Sequence, residues 1–331
     1  MGLTADQKKN HSIGIGGSTA SIPPKMNSYS TIYDLWLRMK GKVPDFEGNK
    51  STYIGQLLET PMFQWYCDQF NVTLEIPKET KFMDGSDWVF ANPDALYKNR
   101  KEGVDCKTAG FLSKYSKAKN KFGEEGTDQI PAEYIVQSQW YMAVYQYEVW
   151  HIPVWFSNGS DEIVDIVINL VNNSSMVILE KEKILSSFLE SIIKDRRVYR
   201  VEYNHDFFSF VFDECHEFYK RFIVGDEVPE IQSSDTAKLY LDTEYPASKN
   251  NGSMVEAYDK ESLWMDKYGI LREERQNILD SAKGIEEQLL DLKFKLQHAI
   301  GNNSGMQSDS FIVTNKPDKN GRKRFYFKEK K

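Results

Sequence analysis

Asp94 follows Pro93, and eleven residues later Asp105, Cys106 and Lys107 stand in a row, with Glu59 upstream. Two acids and a lysine at this spacing can hold a divalent metal at the end of a strand hairpin and aim an activated water at a phosphodiester. Asp94 and Asp105 would supply carboxylates. The backbone carbonyl of Cys106 would point into the same site, because alternation along a strand leaves it free. Glu59, arriving from a helix, would complete the oxygen shell. Lys107 lies two residues beyond Asp105 and so on the same strand face. There it could orient or acidify the attacking water and offset charge in the transition state. Taken alone, either aspartate reads as a solvated turn residue.

The elements around these residues decide whether they can meet. Ser28–Gly41 carries a broad apolar face at helical spacing and ends on a glycine. Lys50–Phe70 is a second expected helix, with Ile54, Leu57, Leu58, Met62, Phe63 and Tyr66 inward and Glu59 at the edge of that face. The period then shortens to two. Asn71–Pro77, Trp88–Ala91, Ala95–Tyr97 and Val104–Cys106 read as short strands, with residues 99–103 as a hairpin turn. That hairpin sets Asp94 and Asp105 on adjacent strands near one end. A basic loop from Lys114 to Asp128 leads to a helix over Ala132–Tyr147. Strands are expected at Val149–Phe156, Glu162–Asn169 and Tyr199–Tyr203, and helices at 177–195 and Phe207–Ile223. Helices on strands in this order define an α/β or α+β fold with a central mixed sheet.

Residues 1–12 are polar and expected to be disordered, and 231–257 to be a linker or arm. From Tyr258 to Ile300, Leu271, Ile278, Ile285, Leu292 and Ala299 recur every seven residues, with Ala282, Leu289 and Leu296 in the offset set. That is a coiled-coil-like seam, weakened by Gly284. Asn320-Gly321, between two alternating runs, marks a closing hairpin.

The chain has 331 residues, 40% hydrophobic and 27% charged, enough for a sizeable core. It contains no apolar run long enough to span a membrane and no expected secretory leader. Its three isolated cysteines fit reduced thiols in a cytoplasmic protein and are too few for a four-cysteine cluster. The net charge of −7 argues against a simple basic DNA-binding protein. Residues 98–121 and 316–331 nevertheless each carry eight basic side chains against two acidic ones. An acidic body with two basic surfaces suits contact with a polyanion, although each run alone reads equally well as a solvated loop. Within the first run, Lys114, Lys117, Lys119 and Lys121 are candidate contacts to a nucleic-acid backbone.

Gly14-Ile15-Gly16-Gly17-Ser18 fails as a dinucleotide loop, since no strand is expected before it and the third glycine is misplaced. It reads either as a phosphate nest using backbone N–H groups and the Ser18 hydroxyl, or as a flexible linker. Tyr134 and Gln137 stand one turn apart on the helix after the basic loop. No histidine pairs with a cysteine at a zinc spacing, and neither a nucleophile elbow nor a P-loop occurs.

Six stretches, in this order, resemble one family. They are Ile15-Gly16-Gly17-Ser18, Ser28 to Trp36, Gly55 to Glu59, Ala91 to Leu96, Val104 to Thr108 and Phe122 to Trp140. Together they are similar to the lambda-exonuclease or YqaJ-like viral recombinase branch of the PD-(D/E)xK nucleases, over roughly residues 13–142. The resemblance implies a nuclease domain over 13–230 with a restriction-endonuclease-like core, followed by a helical extension over 258–331 that ends in a basic hairpin. It implies two Mg²⁺ ions, with Mn²⁺ as substitute, held by Glu59, Asp94, Asp105 and the Cys106 carbonyl. It makes Lys107 the catalytic lysine, Gln137 with Tyr134 a brace on the following helix, and Ser18 the hydroxyl that holds a 5′ phosphate. The implied activity is digestion of duplex DNA from an end, 5′ to 3′, leaving a 3′ single strand for an annealing protein. That would place the chain in a phage-type recombination system in the cytoplasm of a bacterial host, with homo-oligomers among its expected states. Two other readings remain open: an endonuclease of restriction or repair type on the same fold, and a non-catalytic DNA-binding assembly protein. Asp105 stands where the family more often has Glu.

Overall fold

The computed structural model describes residues 13–44, 48–111, 121–157, 166, 169, 176–177, 180–181, 184, 193–249, 252–317 and 323–330. Residues 1–12, Lys114, Lys117, Lys119 and the Asn320-Gly321 turn, all singled out in the sequence, lie outside them. The chain forms two compact units, 1–250 and 251–331.

In the first unit a six-stranded mixed sheet is built around one long strand. This strand, β8 (Val149–Ser157), is apolar along most of its length, as a strand covered on both faces must be. Along one edge it pairs in parallel with β6 (Glu102–Val104) and β7 (Lys107–Ala109). Both keep one register, Val104 beside His151 and Lys107 beside Val154, so β6 and β7 are halves of a single strand interrupted at Asp105-Cys106. The expected strand Val104–Cys106 is thus corrected to a break. β5 (Ala95–Tyr97) lies antiparallel to β6 with Ala95 opposite Val104, and β2 (Leu74–Glu75) follows beside β5. On its other edge β8 pairs antiparallel with β9 (Ile193–Glu202). A second, three-stranded sheet holds β1 (Ile15–Gly16), β4 (Val89–Ala91) and β3 (Lys81–Phe82).

Alternation along β8 divides the core. Trp150, Ile152, Val154 and Phe156 join the cluster under one face. Trp155 points the other way, to Ile54, Leu57, Leu58 and Met62. Those four belong to helix α2 (Lys50–Phe70), opened by an Asn49 cap and closed by Asn71 in the left-handed conformation. The first face carries α3 (Ala132–Tyr145), which stops at Gln146 in the left-handed region, two residues before the expected end. Trp140 anchors it: the indole is fully buried and its N–H donates to the Phe90 carbonyl at 3.0 Å.

The first helix, α1 (Ile32–Met39), begins four residues later than expected. Thr31 and Asp34 form a reciprocal capping box, at 3.1 and 2.8 Å, that fixes the start and leaves Tyr29 exposed. β9 begins at Ile193, inside a segment expected as helix. Of the strand expected at 162–169, Ile166 and Asn169 are described, and both are helical. A run of β-branched residues this short does not separate strand from buried helix by period alone. α4 (His205–Phe218) continues into a π-helical turn, Tyr219–Val224. Within 231–257, expected as a linker or arm, residues Asp235–Glu244 form α5. It is capped by Ser234 and packed by buried Ala237 and by Tyr240, whose ring meets Tyr33 edge-on.

The second unit is simpler. α6 (Asp259–Ile300) runs 42 residues and leads to an antiparallel sheet of β10 (Gly305–Gln307), β11 (Phe311–Pro317) and β12 (Lys323–Glu329).

Candidate active site

The break between β6 and β7 creates the site. In a parallel ladder the N–H and C=O of every second residue face the neighbouring strand. Asp105 N–H meets the His151 carbonyl at 3.0 Å. The Asp105 carbonyl would next meet the N–H of residue 153, but that residue is proline and has none. Proline is rare inside a central strand, and here it lies opposite the interruption. The same alternation turns the N–H and C=O of Cys106 away from β8, toward the side where β5 begins. Its N–H donates there to Asp94 Oδ2 at 2.9 Å. The hairpin that pairs Ala95 with Val104 therefore sets Asp94 opposite Asp105, as the spacing implied.

Side chains sort by face. Val104 and Cys106 pack toward α2. Asp105 and Lys107 point toward α3. Asp105 is only 2% exposed and its carboxylate is ion-paired with the Lys107 ammonium. Lys107 Nζ also donates to Gln137 Oε1 at 3.0 Å and lies 4.9 Å from the centre of the Tyr134 ring. Gln137 is oriented in turn, since its Nε2 donates to the Tyr141 hydroxyl at 2.9 Å. That hydroxyl donates to the Asn92 carbonyl at 3.2 Å, two residues before Asp94. A closed chain of bonds thus links the strand lysine, one face of α3 and the turn that carries the first aspartate. Tyr141 falls within the helix expected over Ala132–Tyr147, and no role is assigned to it from the sequence. Its position four residues after Gln137, hence on the same helix face, is the signal that could have found it.

Electrostatics concentrates here. Burial, then the neighbouring Asp105, pushes the Asp94 carboxyl well above the usual range, while Lys107 opposes the shift. Burial likewise raises Glu59, with Asp105 adding and Lys107 opposing. Burial by itself would lower Lys107, but Asp105 and Asp94 outweigh it and hold the ammonium above its ordinary value. The Cys106 thiol is pushed far up by burial and then by the same carboxylates, so it is neutral at physiological pH. Glu59 comes from α2, on the other face, two residues before Pro61. Pro61 cannot donate to the Leu57 carbonyl, which loosens the helix next to the site.

Three carboxylates whose charges bear on one another, beside a backbone carbonyl edge, are hard-oxygen donors of the kind that suits Mg²⁺. Among the described residues no three His, Cys, Asp or Glu side chains are gathered closely enough to hold an ion as they stand. The Lys107 ammonium instead neutralises Asp105.

Of the expected phosphate contacts, Ser18 and Lys121 are described. The glycine segment is no free linker: Gly16 lies in β1 beside Phe90. A Cβ on Gly17 would fall 2.3 Å from the Tyr141 ring, so only glycine fits against that tyrosine. Ser18, the next residue, is exposed. Lys121 lies with its Nζ 3.4 Å from Ser28 Oγ and 5.4 Å from the Tyr29 ring. No helix among the described residues is long and apolar enough to cross a membrane.

Residues 7–148, the stretch that contains every carboxylate of the site, match the model of the YqaJ-like viral recombinase domain. Over 278 residues the chain is 24% identical to the uncharacterized protein YqaJ of Bacillus subtilis (strain 168), spanning 83% of this chain and 74% of that protein. Among solved structures it is similar to the alkaline exonuclease LHK-Exo from Laribacter hongkongensis, with 12% identity, 67% of this chain and 94% of that chain covered, and a TM-score of 0.45. It is also similar to a phage related exonuclease from Haemophilus somnus 129PT, with 12% identity, 65% and 96% covered, and a TM-score of 0.42.

Proposed function

We propose that this chain is a metal-dependent deoxyribonuclease that digests linear duplex DNA from its ends, 5′ to 3′, leaving 3′ single strands for an annealing protein in phage-type recombination. The observation that carries this reading is the Lys107 ammonium held between Asp105 and Gln137, with Asp94 and Glu59 electrostatically linked to it. The viral recombinase domain over the same residues supports it.

Glu59, Asp94, Asp105 and the Cys106 carbonyl would hold Mg²⁺, two ions in the full site, with Mn²⁺ as substitute. When bound, the cation supplies a Lewis acid and an acidified water. Lys107 remains charged at neutral pH, so it acts as a fixed positive charge for the phosphate and not as a proton acceptor. Gln137 keeps that ammonium aimed, and Tyr141 keeps Gln137 from rotating. The Tyr134 ring covers one side of the ammonium, excluding water and strengthening its field. Ser18 and Lys121, with Lys114, Lys117 and Lys119, would meet backbone phosphates.

Labelled linear duplex and covalently closed circular duplex, each incubated with Mg²⁺ or EDTA, test the reading. Progressive loss of the linear form alone, only with Mg²⁺, is expected. Linearised circles would point to an endonuclease. DNA binding without loss of either form would leave a non-catalytic protein.

A further inference from the structure

We propose that α6 is an interaction surface for a second copy of this chain, joined to it as an antiparallel coiled coil crossing near mid-helix. The observation is a 42-residue helix that leaves its apolar seam to solvent: Ile278 is 69% and Leu289 60% exposed. From Tyr268 to Leu292 the seam holds a 3–4 spacing for more than three heptads, long enough for a coiled coil. Gly269 and Gly284 fall on the outer side, where an added Cβ would meet nothing.

The flanking charges select the second copy and its direction. In a parallel pair, Arg275 in the seam would face Arg275 of the other helix, and Lys267 would flank Arg272, giving only repulsion. Turned antiparallel, with Ala282 opposite Ile278 of the second copy, the apolar layers meet, Leu289 against Leu271 and Tyr268 against Leu292, and each Arg275 falls opposite Ile285 instead of its own copy. This register crosses at residue 280, the middle of α6, and gives the longest overlap. The two Arg275 side chains then stand about 15 Å apart along the axis. Arg272 flanks Glu286 of the other copy, twice by symmetry, and Leu279 meets its own copy at the crossing. Lys267 and Lys295, near the ends, form the remaining like-charge pairing. The self-complementarity lies in this one helix and does not depend on the nuclease reading.

Light scattering on the full chain tests it. The expected mass is at least twice the 38.4 kDa of one chain, and Ile278→Asp, which lies on an exposed face and leaves the helix signal in circular dichroism intact, should yield monomers. Glu286→Arg alone should weaken association about 10-fold by turning two attractions into repulsions, and adding Arg272→Glu should restore it. Leu279→Cys should cross-link to itself under mild oxidation. A monomer at all concentrations overturns the proposal, whether the seam is then covered by the chain's own first unit or by another protein. Association indifferent to both Ile278→Asp and the charge exchange overturns it equally.

Discussion

Lys107 is the side chain on which the other groups converge, and its contacts divide into those that give it charge and those that give it direction. Asp105 and Asp94 do the first, Gln137 the second. Lys107→Ala should lower the rate of duplex hydrolysis by about 10²–10³-fold or more, the usual cost of a transition-state charge contact, with DNA binding retained. Lys107→Arg should not restore it, because a planar guanidinium cannot replace a compact ammonium in this bond set. Gln137→Ala should cost about 10–100-fold in kcat with little change in KM, as loss of a supporting contact does. Asp94→Asn separates stability from activity. The folded Asp94 carboxyl lies above its ordinary value, so the folded state binds the proton more tightly than the unfolded chain. Stability from this group is present at low pH and falls as pH rises through the raised value. The amide escapes that loss. Metal-free Asp94→Asn should melt about 2–4 °C higher at neutral pH, equivalent to about 1 kcal/mol, while losing hydrolysis. Spacing made Asp94, Asp105 and Lys107 candidates only together with the elements around them, since either aspartate alone reads as a solvated turn residue. The brace through Tyr141 and Asn92 was not legible, because a tyrosine among aromatics on an apolar helix looks like filling.

Elements make the difference between a motif and a site. The strand that carries Asp105 had to be broken, and the break lies opposite Pro153 in a strand that otherwise reads as ordinary buried β. Period gave α2, α3 and the β5–β6 hairpin, because apolar spacing dominates there. The first half of β9, before the strand expected at Tyr199, was hidden by its charges. Arg196 and Arg197 look like solvent residues, yet their guanidinium groups lie 5.1 Å from the Trp155 and Phe156 rings, one on each face of the sheet. Snorkelling cations disguise a half-buried strand. Gly17 makes an element-scale prediction. Gly17→Ala places a Cβ against the Tyr141 ring, so it should cost about 1–3 kcal/mol of stability and reduce hydrolysis with it. A second concerns the sheet's other face, where His151 lies against Tyr66 and Tyr97 and bonds Glu102 at 2.8 Å. Burial lowers the His151 pKa, against the pull of Glu102, from its ordinary 6.5. The unfolded chain then binds this proton more readily, so the stability is present above about 6.5 and is lost as pH falls toward the folded value. The denaturation midpoint should decline over that window, and His151→Gln should flatten the decline.

At the scale of the whole molecule, the chain is acidic yet carries basic side chains in two short runs. The proposed attraction to DNA is then local, and log affinity should fall linearly with log salt, with a slope set by the few phosphates met. The heptad in α6 was plain in the sequence, while the helix α5 was not, since one buried alanine leaves almost no periodic mark. On the proposed reading the carboxylates, the lysine and the strand break form one hydrolytic centre, and the most direct measurement is single-turnover decay of an end-labelled linear duplex in Mg²⁺ by the native protein and by Lys107→Ala. Release of label by the native protein, abolished in the variant although it binds the same DNA, is the result this centre requires. Equal decay with both proteins, or none with either under saturating Mg²⁺, would contradict it.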